Sequence, residues 1–219
     1  MRRVKPLSQC RLYTFVDTAF LRGCAPELVA QQLCDGGSDL IQLRAKNSPP
    51  QEILRMAQAI LPVTRRADVG LVINDHPEIA RAVGADYCHL GQEDFFETGH
   101  ANFKLQTSNF KLGLSTHAPE QAERALAAAP AYIAIGPVYA TGTKPGAKPV
   151  TLEYVRWAAE HVEIPWFAIG GIKLANLEEV LAAGARRICV VSAILDAPDI
   201  AKACRDFKAR LEWPACGQK

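Results

Sequence analysis

The side chains best suited to chemistry occur at residues 42–46 (QLRAK), where a buried apolar run ends. Side chains alternate along a β-strand, so Gln42, Arg44 and Lys46 should point to the same side. An amide, a guanidinium and an ammonium together offer hydrogen-bond donors that suit a polyanion such as a diphosphate. A solvated strand end is the alternative for a lone Arg-x-Lys pair, so the interpretation depends on the residues at the ends of the other strands.

Short apolar runs alternate with helical patterns along the chain, which is typical of a parallel α/β domain. We predict strands at residues 12–16, 40–43, 70–73, 87–90, 111–114, 132–135, 166–169 and 188–191. We predict helices at 26–34, 50–65, 78–83, 119–128, 152–160, 176–183 and 198–211, with a short or distorted helix in the irregular segment 95–110. This order in 219 residues predicts a (β/α)8 TIM barrel in a single domain. A doubly wound open sheet is the alternative, although it usually has fewer strands.

Composition limits the classes of function and the domain organisation. A formal net charge of +2 is too small to indicate nucleic acid or a membrane surface as the partner, so we expect small-molecule substrates. Seven cysteines without a CxxC pair indicate reduced thiols, and no apolar run approaches a membrane span, so we expect a cytoplasmic protein. We predict an N-terminal extension at 1–10, the barrel at 11–212 and a tail at 213–219. Self-association into a homo-oligomer is left open.

Two aspartates follow neighbouring strands of the predicted barrel. All loops after the strands of such a barrel open on one face, and adjacent strands lie roughly 4.8 Å apart. Asp75 and Asp94 could therefore share one hard cation, and Mg2+ with water and phosphate oxygens suits such ligands. The alternatives are that Asp75 caps the following helix, in a capping box with Glu78, and that Asp94 is a solvated loop acid.

A second anion site is predicted after strands 7 and 8. Gly170-Gly171 and Val191-Ser192 stand where many barrels bind a phosphate monoester through backbone N–H groups. The alternative is a tight turn, which would explain one glycine but less readily two together. The loop at 141–146 (TGTKPG) is long enough to cover bound ligands, or it is a plain surface loop. His89, His117 and Cys88 are interpreted as packing or hydrogen-bonding residues rather than catalysts.

Taken together, these motifs resemble the thiamine-phosphate synthase (thiamine-phosphate pyrophosphorylase) family. The matching pieces are QLRAK, INDHPEIARAVGADYCHLGQED, GLSTH, YIAIGPVYATGTK, AIGGI and VVSAI, in the family's order across roughly residues 40–200. The resemblance implies a (β/α)8 enzyme that joins 4-amino-5-hydroxymethyl-2-methylpyrimidine diphosphate to 4-methyl-5-(2-phosphoethyl)thiazole. The products would be thiamine phosphate and diphosphate.

The resemblance also implies a role for each matching residue. The pyrimidine diphosphate would contact Gln42, Leu43, Arg44, Ala45, Lys46, Asn74, Ser115 and Lys144. The thiazole phosphate would contact Thr141, Gly142, Thr143, Gly171, Val191 and Ser192, and Mg2+ would bind Asp75 and Asp94. Lys144, Arg44 and Ser115 are the expected catalytic residues. We expect diphosphate to leave before the thiazole nitrogen attacks. No general base is required, because the nitrogen attacks through its lone pair.

Two other functions compete with this one. A thiazole tautomerase of the same barrel type would use the amide-rich phosphate site and give His117 a proton-transfer role, but it would leave QLRAK and the two aspartates without a function. A non-catalytic regulator that binds thiamine phosphate would not need the groups that stabilise a leaving diphosphate.

Overall fold

The computed structural model describes residues 5–97, 109–141 and 149–212, and within them eight parallel strands form a closed barrel. The strands are β1 Leu12–Asp17, β2 Leu40–Arg44, β3 Gly70–Asn74, β4 Tyr87–Gly91, β5 Lys111–Thr116, β6 Tyr132–Ile135, β7 Trp166–Ile169 and β8 Ile188–Cys189. Each strand pairs with the next in chain order, and β1 pairs with β8 to close the ring. The predicted (β/α)8 architecture is confirmed.

Helices connect successive strands on the outside of the barrel. They are α1 Pro26–Asp35, α2 Pro50–Arg66, α3 Pro77–Val83, α4 Gln92–Glu97, α5 Pro119–Ala127, α6 Thr151–His161, α7 Leu177–Ala182, α8 Ser192–Leu195 and α9 Ile200–Glu212, with 3-10 turns at Leu7–Gln9 and Thr18–Phe20. Proline occupies the first position of α1, α2, α3 and α5, where its fixed φ suits the helix and its missing N–H costs nothing.

The predicted elements agree with the structure except near the eighth strand and in the irregular segment. Strand β8 ends at Cys189, two residues before the predicted end at 191, and α8 begins soon afterwards at Ser192. We did not predict α8 because four residues are too few to show a helical period. In the segment 95–110, α4 is short as expected but begins earlier, at Gln92, and residues 98–108 lie outside the described ranges.

The amino-terminal end of the barrel is closed by charged and apolar contacts. Leu7 and Cys10 are buried against the core, and the Asp39 carboxylate accepts hydrogen bonds from the ammonium groups of Lys5 (2.6 Å) and Lys208 (2.5 Å). Residues 5–10 therefore pack on the barrel. The boundaries of the proposed extension and barrel stay predictions, and the proposed tail at 213–219 is outside the described residues. None of the described helices is long and apolar enough to cross a bilayer.

Candidate active site

A cavity opens at the carboxyl ends of the strands and collects most of the residues that the sequence singled out. Of the predicted site residues, its lining includes Gln42, Arg44, Lys46, Asn74, Asp75, Asp94, Ser115, Thr141, Gly171, Val191 and Ser192. The side chains of Leu43 and Ala45 are instead buried in the hydrophobic core, so these two residues could reach a ligand only through backbone atoms. Gly142, Thr143 and Lys144 lie outside the described residues.

The three polar residues of β2 and its following loop lie at increasing distance from the barrel interior. All three line the cavity, which confirms that they share one side of the strand. Gln42 is only 2% exposed, Arg44 is partly buried, and Lys46 is exposed. The amide therefore belongs to the neutral floor of the cavity, whereas the two charges are close to its mouth.

Arg44 is held by a buried acid that sequence reasoning missed. Its Nη1 donates to Asp17 Oδ2 at 2.7 Å, and Asp17 stands opposite Arg44 in the parallel pairing of β1 and β2. The same carboxylate accepts the backbone N–H of Ala19 at 3.0 Å, so its orientation is fixed from two directions. An acidic residue directly after the apolar run of the first strand was the available signal.

Asp75 adopts a strained backbone conformation at the end of β3. Its φ of 61° is uncommon for a residue with a Cβ, and its backbone N–H donates to the His89 carbonyl at 2.9 Å. Burial raises the pKa of the Asp75 carboxyl; the positive charge of Lys46 opposes this effect and the negative charge of Asp94 adds to it. The alternative that Asp75 caps α3 is wrong, because the N-cap residue is His76 and no side chain caps that helix.

Asp94 lies against the end of β4, where Gly91 leaves room for it. A Cβ on Gly91 would come within 2.9 Å of the Asp94 Oδ2 atom, so the carboxylate folds back over the strand end. Asp94 is exposed but lines the cavity with Asp75. In the described ranges no group of three or more His, Cys, Asp or Glu side chains is placed to hold a metal. Two carboxylates fit Mg2+, which commonly keeps waters and takes phosphate oxygens as further ligands.

A further lining residue, Gln92, was not predicted. Its side chain is buried, and its Oε1 atom has no hydrogen-bond partner among the described residues. A buried acceptor without a partner costs free energy unless a ligand or water donates to it. Only its position directly after the fourth strand pointed to it.

The opposite side of the cavity is built from the turns after β7 and β8. Gly170 and Gly171 have φ values of 100° and 64°, and a Cβ on them would come within 2.4 Å of Pro137 and 2.7 Å of Tyr139 respectively. Both glycines are therefore needed so that the turn can pack against the loop after β6. A tight turn thus explains both glycines, and not only one of them as expected from the sequence. The Asn176 side chain fixes the turn by donating to the Gly171 carbonyl at 3.0 Å.

The floor of the cavity contains neutral polar groups. His89 Nε2 lies 2.8 Å from Ser115 Oγ, and burial lowers the pKa of His89 to about 4, so its imidazole is neutral at pH 7. His117 donates from Nδ1 to the Gly136 carbonyl. Cys88 is instead fully buried in the hydrophobic core, and burial raises the pKa of its thiol. The interpretation of these residues as packing or hydrogen-bonding groups agrees with these contacts.

Comparisons with known proteins give the family. Residues 12–194 match the thiamine monophosphate synthase family model. The chain is 49% identical to a thiamine-phosphate synthase of Thermus thermophilus over 177 residues, which are 80% of this chain and 84% of that protein. It is 43% identical to the thiamine-phosphate synthase of Acidothermus cellulolyticus over 207 residues, 94% of this chain and 96% of that protein. The structure of thiamine phosphate pyrophosphorylase from Pyrococcus furiosus matches with a TM-score of 0.84 at 30% identity, covering 95% of this chain and 98% of that one. The resemblance seen in the motifs is confirmed, and the chain belongs to the thiamine monophosphate synthase family.

Proposed function

We propose that this chain is a thiamine-phosphate synthase. It joins 4-amino-5-hydroxymethyl-2-methylpyrimidine diphosphate to 4-methyl-5-(2-phosphoethyl)thiazole and releases diphosphate. The observation that carries this proposal is one cavity that combines three parts. Cationic and carboxylate groups stand at the ends of β2 to β4, the turns Gly170-Gly171 and Val191-Ser192 follow β7 and β8, and uncharged side chains form the floor between them. Two phosphorylated rings fit such a cavity from opposite sides.

The β2 side suits the pyrimidine diphosphate because polarity changes with depth. Gln42 and the Tyr13 ring are buried and uncharged, whereas Arg44 and Lys46 lie nearer to solvent. A neutral aminopyrimidine can enter the buried part without loss of charge hydration, and the diphosphate stays at the cationic mouth. Arg44 is already oriented by Asp17, so little side-chain entropy is lost when it contacts the leaving group.

Asp75 and Asp94 are the residues that would hold Mg2+ beside this diphosphate. Burial, and after it the negative charge of Asp94, raises the pKa of Asp75, and a divalent cation between the two carboxylates would offset this repulsion. When bound, Mg2+ neutralises charge that develops on the leaving diphosphate. The residues of this chain bind the diphosphate and orient it so that the carbon–oxygen bond faces the second ring.

The thiazole phosphate would bind on the opposite side, at Thr141, Gly171, Val191 and Ser192. In a ring of eight strands β7 and β8 lie across from β3 and β4, so the thiazole phosphate is held apart from the two aspartates and the rings meet between them. The thiazole nitrogen attacks through its lone pair, and no proton has to be removed. Buried, neutral His89 is therefore not required as a base.

The rival tautomerase function has one favourable observation, because His117 also lines the cavity. It gives no role to Arg44, Lys46 or the two aspartates that line the same cavity. A regulator that only binds thiamine phosphate would likewise not need a metal-binding carboxylate pair beside a diphosphate site. We further propose that the protein acts in the cytoplasm on small molecules, with its state of association to be measured.

The test is to incubate the purified protein with both substrates and measure thiamine phosphate and diphosphate together. We expect equal amounts of the two products with Mg2+ and a large loss of turnover in excess EDTA that added Mg2+ restores. Isomerisation of a thiazole carboxylate phosphate without diphosphate release would support the tautomerase instead. Binding of thiamine phosphate with no turnover of either substrate would support the regulator.

A further inference from the structure

We propose that His89 is a positioning residue that acts through Ser115 and fixes the serine hydroxyl as a hydrogen-bond donor toward the pyrimidine substrate. The identity of that substrate rests on the proposed function. The direction of the hydrogen bonds rests on the structure alone.

A chain of hydrogen bonds crosses the barrel interior between two residues that line the cavity. Gln42 Nε2 lies 2.5 Å from the Tyr13 hydroxyl, which lies 3.0 Å from the Tyr132 hydroxyl. The Tyr132 hydroxyl lies 3.1 Å from His89 Nδ1, and His89 Nε2 lies 2.8 Å from Ser115 Oγ. We call these five residues the interior chain. It connects β2 to β5 through β1, β6 and β4.

The chemistry of the first group sets the direction of the whole interior chain. An amide nitrogen only donates, so the Tyr13 oxygen accepts from Gln42. The buried Tyr13 proton also needs an acceptor, and we assign the Tyr132 oxygen, 3.0 Å away, to this role. Tyr132 then donates to His89 Nδ1, which places the imidazole proton on Nε2. Nε2 donates to Ser115 Oγ. The serine proton is left to donate to an acceptor in the cavity.

The barrel is built to hold this arrangement. Gly113 on β5 stands in register between His89 on β4 and Tyr132 on β6. The two rings stack with centroids 5.7 Å apart, and a Cβ on Gly113 would lie 2.1 Å from the Tyr132 ring. Phe15 stacks on Tyr13 at 5.3 Å and restricts the first phenol. Packing therefore limits the hydroxyls and the imidazole to one set of partners.

When the interior chain runs from Gln42 to Ser115, the groups at both of its ends suit an aminopyrimidine. With Nε2 of Gln42 used on Tyr13, its amide oxygen can accept from the exocyclic amino group of the substrate. Ser115 at the other end donates to a substrate acceptor. A reversed chain would exchange these roles, so Ser115 would no longer supply a proton and the pyrimidine diphosphate would lose a hydrogen bond.

The direct test is the tautomer of His89, read from 15N chemical shifts of the wild-type protein in long-range 1H–15N spectra at pH 7. The His89 resonances are identified by their absence in His89→Gln. We expect one tautomer with the proton on Nε2. In Tyr132→Phe the ring stays but the donor to Nδ1 is lost, so the tautomer should no longer be unique. Tyr154→Phe, which removes a buried hydroxyl 2.8 Å from Thr116 Oγ1 outside the interior chain, should leave it unchanged. A proton on Nδ1 in the wild type would overturn the proposal.

A kinetic cycle tests whether His89 acts through Ser115. His89→Leu and Ser115→Ala should each lower kcat/KM for the pyrimidine diphosphate by about 10- to 100-fold, the range for a hydrogen bond to a charged or buried group. His89→Leu added to Ser115→Ala should have little further effect, because the pathway is already cut. His89→Gln, whose amide nitrogen can donate to Ser115, should recover most of the activity. The KM for the thiazole phosphate should not change.

If the losses of kcat/KM caused by His89→Leu and Ser115→Ala multiply in the double variant, the positioning role is overturned. It is also overturned if His89→Gln unfolds at the wild-type temperature but does not recover activity. If the wild-type protein makes no thiamine phosphate, the proposed function fails, while the tautomer measurement still decides the direction of the interior chain.

Discussion

Replacing Asp17 by asparagine should show how much the buried acid contributes to placing Arg44. The carboxylate and the guanidinium are 2.7 Å apart, with side chains that are 2% and 18% exposed. The amide in Asp17→Asn keeps the shape of the acid and can still accept the Ala19 N–H. It brings no negative charge to Arg44, and its NH2 group would face the donors of the guanidinium.

The expected cost follows from the burial of the pair. Removing one partner of a fully buried ion pair costs about 3–5 kcal/mol, because the other charge is left uncompensated. Arg44 retains some contact with water and has further interactions, so we expect the free energy of unfolding to fall by about 2–3 kcal/mol. Without the acid, the guanidinium must be ordered again on binding, so the KM for the pyrimidine diphosphate should rise about tenfold, or about 1.4 kcal/mol.

Urea unfolding and steady-state kinetics measure both effects, and the chain offers a matched control. Asp196 pairs with Arg22 on the surface, where their side chains are 47% and 62% exposed, so Asp196→Asn should cost less than about 1 kcal/mol and leave KM unchanged. If Asp17→Asn lowers the free energy of unfolding no more than Asp196→Asn does, the burial of the Asp17–Arg44 pair does not increase its contribution to stability. A lower KM would mean that Asp17 competes with the substrate for Arg44 rather than orienting it.

Three further outcomes are expected. Asp94→Asn should lower kcat by about 100-fold at saturating substrates, and Mg2+ titrations of turnover that match the wild type would exclude its metal role. Gly113→Ala should lower the free energy of unfolding by about 1–3 kcal/mol, because its Cβ would come within 2.1 Å of the Tyr132 ring; an unchanged urea midpoint would show that the ring moves freely. Burial opposes ionisation of Asp39, but the hydrogen bonds that its carboxylate accepts, above all from two lysine ammonium groups, outweigh burial. Their net effect is to lower the pKa of Asp39. Its stabilisation should therefore be present above about pH 4 and lost as the pH falls further, and Asp39→Asn should flatten that acid loss in urea unfolding curves measured from pH 2 to 7.

Much of the candidate site could be predicted because, in a parallel barrel, residues that follow different strands lie on the same face of the molecule. Strand alternation put Gln42, Arg44 and Lys46 on one side, and the common direction of the strands brought the residues after β3, β4, β7 and β8 to the same face. Neither inference needed knowledge of a distant contact. Both depend only on period and chain direction, which the sequence carries locally.

The missing parts are those that depend on long-range pairing. The Tyr13 and Tyr132 hydroxyls bond across 119 positions of sequence, and no local period indicates that they meet. Asp17 becomes a partner of Arg44 only through the register of β1 and β2. Helix α8 spans four residues and is specified by its packing rather than by a pattern. Alternation also predicts the side of a strand on which a residue lies, but not how deeply the residue is buried. It therefore grouped the buried Gln42 with the charged Arg44 and Lys46.

Depth is the property that joins the fold to the proposed chemistry. Burying an unpaired charge is costly, and the hydrogen-bonded groups that cross the barrel interior in the described ranges are neutral: two phenols, an amide and an imidazole. Charges are accepted near the mouth, where Arg44 is paired and Lys46 reaches solvent. A substrate with a neutral ring and an anionic tail meets the same gradient. Under the proposed function, such a substrate would bind with the ring inward and the diphosphate at the mouth beside the two aspartates.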